Sequence, residues 1–229
     1  MTAVAQQLSG LTRTWRYILI ALGAVLVMTV AELITGSSDL TSRSTAGAAI
    51  RLAIPILLAG LGGLYSERSG VVNIGLEGMM IGGTWFAAWG SWTFGPWQGL
   101  LLGVFGGAIF GLLHAFATVT FNVDHIVSGV AINILALGSM RFLSSLVYTP
   151  ETGGSVIQSP PIQGIENVSL PFLAGGELFG WQSPDFFGWL ENQEWFFVSD
   201  VAGIVRGFTG DVNWFTLIAL ALVPLTAWL

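Results

Sequence analysis

Residues 67–80 read ERSGVVNIGLEGMM, a charged, glycine-punctuated run between two apolar stretches, and its reading decides the fold. Asn73, Glu77, Met80 and Thr84 recur at i, i+4, i+7 and i+11, a spacing that stacks them on one face of a helix. Gly75, Gly78 and Gly82 fall on another face, where the missing side chains let a neighbouring backbone approach closely. In an apolar helix such a polar stripe must meet protein or an aqueous cavity rather than lipid. Glu67, Arg68, Ser69 and Gly70 precede it as a charged elbow between two helices.

The surrounding sequence is that of a membrane protein. Of 229 residues, 53% are hydrophobic and only 9% charged, with a mean hydropathy of +0.76, more apolar than a soluble core of this size requires. About 20 apolar residues cross a bilayer as helix, and six stretches qualify: 17–35, 45–64, 72–92, 99–119, 126–148 and 214–229. The first lacks a small-x-small cleavage site, so it reads as a retained helix rather than a signal peptide. The fold class is therefore all-α, a polytopic membrane bundle of about six transmembrane helices. Arg13 and Arg16 precede the first span and Arg68 lies between the second and third, which predicts a cytoplasmic N-terminus. Four regions follow: a cytoplasmic tail (1–16), a five-helix membrane bundle (17–148), an acidic extracytoplasmic loop (149–212) and the start of a sixth membrane helix (213–229).

Charge is unevenly placed. All seven bases are Arg, with no Lys, against thirteen acids. The long loop holds eight of those acids and one base, Arg206, so it carries −7 while the rest of the chain sums to +1. Scarce Lys with abundant carboxylate suits a surface adapted to high salt, the expectation being a halophilic host; a lineage's composition accounts for it equally well. Arg43 is the one base of the other loops that this topology turns outward. Within the loop, residues 180–197, GWQSPDFFGWLENQEWFF, predict a short interfacial helix with its aromatics against lipid or the bundle.

Several polar residues lie within the spans. Asn73 and Glu77 are the stripe's candidates for lining a solute or ion pathway, and Glu77 has a second reading as a structural brace at the broken start of its helix. Ser128 and Asn133 put neutral hydrogen-bonding groups into the fifth span, either lining a route for an uncharged polar solute or joining helix to helix. Gly103, Gly107, Gly111 and Ala115 repeat every four residues, a packing stripe. His114, beside them, is placed to donate to a backbone carbonyl or to pair with Glu77. Glu32, Arg51 and Arg141 fall at similar depth, so Glu32 is expected to pair with Arg51 or Arg141 as a charge brace, because a lone charge in hydrocarbon costs on the order of 2.5 to 3.5 kcal/mol.

With no Cys and two separated His, no metal site or cofactor is expected. A GxxxxGK[ST] phosphate loop, an HExxH pair and a basic stripe for nucleic acid are all absent from the sequence. The chain carries no catalytic set and reads as a non-enzyme.

Three segments resemble one family in the same order: RLAIPILLAGLGGLYS (51–66), ERSGVVNIGLEGMM (67–80) and DHIVSGVAINILALG (124–138). They are similar to permease subunits of ABC importers, in the nucleoside branch related to branched-chain amino acid and ribose permeases. The resemblance implies a pathway-forming membrane subunit for nucleosides. Its implied partners are ATPase subunits on the cytoplasmic side, a second permease subunit, an extracytoplasmic solute-binding protein and the lipid bilayer, with no nucleic acid. The long acidic loop departs from the family. The sequence stops before the family's ATPase-docking helix, so the expectation is a truncated portion that does not transport alone. Two other readings stay open: an ion-coupled carrier using Glu77, His114 or Asp124, and a non-transporting membrane scaffold.

Overall fold

A computed structural model describes residues 12–178 and 180–228. Eight α-helices run in chain order as α1 (Arg13–Thr35), α2 (Arg43–Arg68), α3 (Leu76–Phe94), α4 (Pro96–Ala115), α5 (His125–Val147), α6 (Phe186–Glu191), α7 (Val198–Thr209) and α8 (Trp214–Trp228). A π-helical turn, Phe116–Thr120, prolongs α4. Four two-residue strands pair antiparallel, β1 (Asn167–Val168) with β4 (Val212–Asn213) and β2 (Glu177–Leu178) with β3 (Trp181–Gln182). The six expected spans correspond to α1–α5 and α8. Four helices are long and apolar enough to cross a membrane: α1, α2, α4 with its π turn, and α5. Of the other two, α3 has 19 residues and α8 has 15.

The chain divides into two compact units, residues 1–54 with 167–217 and residues 55–166 with 218–229. In the second unit α3 and α4 form a hairpin whose only linking residue is Gly95, at φ +107°, a left-handed conformation that favours glycine. Pro96 then opens α4, where its missing N–H costs nothing. The two helices touch through small residues. A side-chain carbon at Gly103 would lie 2.8 Å from Ala87 Cβ, and one at Gly83 would lie 3.0 Å from Gly103 O. The stripe read from the sequence as a packing surface is thus the α4 face against α3. Phe110, Ile132, Ala136 and Met140 form the buried core, flanked by Met79, Ile81, Trp85, Phe86 and Leu143.

The first unit joins α1 and the start of α2 to the long loop. Here α7 lays a small-residue face on the α2 N-terminus: carbons at Gly203 and Gly207 would lie 2.8 Å from Thr41 O and Arg43 O respectively. The interfacial helix expected over 180–197 is shorter, the six residues of α6, because β3 occupies Trp181–Gln182 and Asp185 caps the helix late by accepting from Gly188 N–H at 2.7 Å. The longer loop helix, α7, has no counterpart in the sequence reading.

Candidate substrate-pathway site

The elbow that opened the sequence reading folds differently at its two ends. Glu67 and Arg68 continue α2, and Ser69 and Gly70 make the turn, with Gly70 at φ +87°. Ser66 fixes the turn twice, its Oγ donating to Val71 O at 2.7 Å and its carbonyl accepting from Val71 N–H at 3.1 Å. Residues 71–74 then carry no regular secondary structure, Gly75 turns at φ −80° and ψ 8°, and α3 begins at Leu76 rather than near Val72.

Two of the four residues expected to line a pathway, Asn73 and Asn133, hold this broken helix start together, while Ser128 joins α5 to α4. Asn73 Oδ1 accepts from Gly75 N–H at 2.9 Å, and its amide nitrogen donates to Met79 Sδ at 3.4 Å. From α5, Asn133 Oδ1 accepts from Gly78 N–H at 2.7 Å, while its Nδ2 donates to Ile74 O at 3.2 Å. Backbone groups at a helix start in a membrane have no water to turn to, so this one amide satisfies two of them. Ser128, 4% exposed, hydrogen-bonds His114 Nδ1 at 2.9 Å. His114 therefore meets a hydroxyl, not the backbone carbonyl or Glu77 partner expected, and its Nε2 is buried with no hydrogen-bond partner among the described residues. His125 Nδ1 accepts from Val72 N–H at 3.3 Å, adding a third side chain to the clasp. Asp124 caps α5 by accepting from Ile126 and Val127 N–H at 2.9 and 3.1 Å.

Glu77 is different. It is exposed in the first turn of α3 and has no hydrogen-bond or ion-pair partner among the described residues. With Met80, Ile81, Thr84, Trp85 and Ala88 it lines a cleft of about 860 Å³, whose other wall is Leu137, Met140, Arg141, Ser144 and Tyr148. Of the polar stripe, Glu77, Met80 and Thr84 face this cavity, whereas Asn73 lies before the helix and does not.

Aromatic groups close the cleft at one end. Trp85 Nε1 donates to Ser144 Oγ at 3.0 Å, and Tyr148 Oη donates to Trp85 O at 3.0 Å. Their rings stack at 5.5 Å with an interplanar angle of 28°. From Glu77 to Trp85 is eight residues, a rise of about 12 Å at 1.5 Å per residue. The cleft thus offers an aromatic part and a carboxylate about 12 Å apart along α3. Periodicity placed the α3 wall; the α5 wall was missed, since Ser144 and Tyr148 carry no signal that would pair them with Trp85.

The expected charge brace is not built as foreseen. Glu32, 8% exposed, accepts from Thr41 N–H at 3.0 Å and from Thr41 Oγ1 at 2.8 Å, so a neighbouring hydroxyl and amide hold it where Arg51 was expected. The same hydroxyl lies 3.1 Å from Asp200 Oδ1 of α7. Arg141 lines the α3–α5 cleft instead. The ion pairs among the described residues both belong to Arg206, with Asp185 at 2.5 Å and Glu191 at 2.7 Å. Burial opposes the Arg206 charge, but its hydrogen bonds and attraction to the two carboxylates outweigh that and raise its pKa above the usual guanidinium value.

The family described as "Branched-chain amino acid transport system / permease component" is matched across residues 45–229. The chain belongs to this family. It is a multi-pass protein of the cell membrane, and its family is one of transport permeases rather than enzymes. This permease is 50% identical over 103 residues to the guanosine ABC transporter permease protein NupQ of Bacillus subtilis, covering 42% of this chain and 32% of that protein. It is 41% identical over 103 residues to the nucleoside ABC transporter permease protein NupC of Lactococcus lactis, covering 41% and 32%. A Haloferax volcanii protein, TsgC13, named provisionally as a glucose ABC transporter permease, is 34% identical over 157 residues, 66% of this chain and 46% of that one. The chain spans about a third to a half of the length of these relatives. No solved structure matches it.

Proposed function

We propose that this chain forms part of the translocation pathway of an ABC importer for nucleosides. The observation that carries the reading is the 50% identity to a protein named as a guanosine permease. The chemistry of the α3–α5 cleft agrees: an apolar recess beside Trp85 suits a base, and an uncommitted carboxylate suits the hydroxyls of a sugar. In this reading Glu77 is the pathway residue, while Asn73 and Asn133 keep the elbow in shape and Ser128 ties α5 to α4. ATP is hydrolysed by separate cytoplasmic ATPase subunits, a second permease subunit completes the pathway, and an extracytoplasmic binding protein delivers the solute to the side of the 149–212 loop. The N-terminal residues 1–16 face the cytoplasm.

The test is substrate-stimulated ATP turnover of the complete transporter carrying this chain, reconstituted in liposomes. Guanosine and uridine are expected to stimulate turnover, while leucine and free ribose leave it at the basal rate. Glu77→Gln, which removes the acceptor charge but keeps the shape, is expected to lower nucleoside-stimulated turnover by about tenfold, the effect of losing one charged hydrogen bond of roughly 1.5 kcal/mol. Stimulation by leucine or glucose alone would overturn the nucleoside reading; a proton-gradient requirement without ATP dependence would favour an ion-coupled carrier.

A further inference from the structure

The first unit gathers three of the chain's seven arginines into one recess. Arg43 and Arg51 lie eight residues apart on α2, on one flank two turns apart, and Arg206 reaches in from α7. With Ser42, Ser44, Gly47, Glu191, Gly210 and Asp211 they line a polar cavity of about 520 Å³. Two glycines let the guanidinium groups lie close to the wall. A side-chain carbon at Gly47 would sit 3.4 Å from Arg51 Nη1, and one at Gly210 would sit 3.2 Å from Arg43 Nη2.

Bringing three like charges together costs energy unless anions answer them, and here the protein answers only one. Arg206 is held by Asp185 and Glu191. Glu191 is thereby committed, and Asp211 accepts from Asn167 Nδ2 at 3.1 Å. Arg43 and Arg51 make no ion pair and no side-chain hydrogen bond among the described residues. The contrast is with the loop itself, which carries −7: carboxylates are abundant, yet none pairs with these two. The Ser44 hydroxyl and the positive end of α2 add further donors on the same side, whereas the Ser42 hydroxyl is spent on Asp39 O at 2.8 Å. Guanidinium and hydroxyl groups converging from two helices suit an anion with oxygens in several directions, which a tetrahedral phosphate offers and a planar carboxylate does not. Just beyond Arg51, Leu52 and Ile56 are each 74% exposed, so lipid-facing surface begins at the edge of the recess.

We propose that Arg43, Arg51 and the hydroxyl of Ser44 form a binding site for a phosphate-type anion, supplied by the headgroup of an anionic phospholipid or by free phosphate. Arg206, locked by its two carboxylates, acts as a fixed wall that positions the site. The experiment has two arms on the purified full chain. In the first, native mass spectrometry compares retention of phosphatidylglycerol and of phosphatidylcholine with the same acyl chains. In the second, inorganic phosphate is titrated against chloride at matched ionic strength, with thermal unfolding followed by Trp fluorescence.

Wild-type protein and Arg68→Gln, a change at the exposed C-terminal end of α2 outside the recess, are expected to prefer phosphatidylglycerol. Arg43→Gln with Arg51→Gln should lower that preference about tenfold or more. A lipid-only response assigns the site to the headgroup, and stabilisation by phosphate that the double variant abolishes assigns it to the free anion. Should the double glutamine variant fail to fold, Arg43→Lys with Arg51→Lys keeps the charge and loses the fork, and is expected to weaken the preference while leaving the unfolding temperature unchanged. Equal retention of the two lipids with no phosphate response, or a preference that survives in both double variants, overturns the proposal.

Discussion

Gly78→Ala tests how closely α3 must approach α5. A side-chain carbon at Gly78 would lie 2.7 Å from Ile132 O and 2.9 Å from Asn133 Cα, where ordinary contact begins at 3.4 Å. Both neighbours are backbone, so the helices must separate by roughly 0.5 to 0.7 Å, the shortfall from that contact distance. The same movement stretches the 2.7 Å bond from Gly78 N–H to Asn133 Oδ1. Overpacking costs about 1 to 3 kcal/mol, and weakening the hydrogen bond adds about 0.5 to 1.5 kcal/mol. Against these, alanine gains about 1 kcal/mol of helix propensity over glycine. The net expectation is a loss of about 0.5 to 3.5 kcal/mol, which at about 2 to 4 °C per kcal/mol for a chain of this size lowers the unfolding temperature by roughly 1 to 14 °C. Gly60, on α2, has nothing within 4 Å of the same added carbon, so Gly60→Ala should be neutral or slightly stabilising. Thermal unfolding in one detergent, read by Trp fluorescence, compares the two. If Gly78→Ala were as harmless as Gly60→Ala, the close packing of the elbow on α5 would be wrong.

Gly70→Ala puts a side chain at φ +87° and should cost about 1 to 2 kcal/mol, measurable as a lower unfolding temperature, with Gly23→Ala, at an open helical position, as its control. Arg206→Met removes both ion pairs of the loop; because the side chains involved are 22 to 28% exposed, the loss is discounted to about 1 to 2 kcal/mol, and it should show as faster proteolysis between α6 and α7 with unchanged cleavage elsewhere. Raising salt from dilute buffer to molar concentration should increase the unfolding temperature if the acidic loop is adapted to high salt, and full stability in dilute buffer would refute that adaptation.

The helices could be read from the sequence wherever one face is uniform along many residues. The glycine repeat of α4 gave its partner face because a four-residue period of small side chains has one use in a membrane helix. The stripe of Glu77, Met80 and Thr84 was legible for the same reason, and it does line a cavity. Asn73 was misplaced on that stripe because periodicity cannot see where a helix begins; the Asn73 and Asn133 amides and His125, two of them from across the unit, decide that. Ser128 and Asn133 looked equally suited to solute or to structure, since a hydroxyl and an amide offer the same groups to either, and their partners lie 14 to 59 residues away.

By itself, then, the sequence determined that the chain is a helical membrane bundle with a glycine-hinged elbow, because bilayer length, apolarity and small-residue spacing are local properties of the chain. Only the tertiary structure decided which polar groups are left over. A carboxylate is available when no neighbour satisfies it, and that is a property of packing: Glu32 finds Thr41, while Glu77 finds an open cleft. The same holds for the arginines. Among the described residues Arg206 is answered twice, and Arg43 and Arg51 not at all, a division that no count of charges along the chain contains.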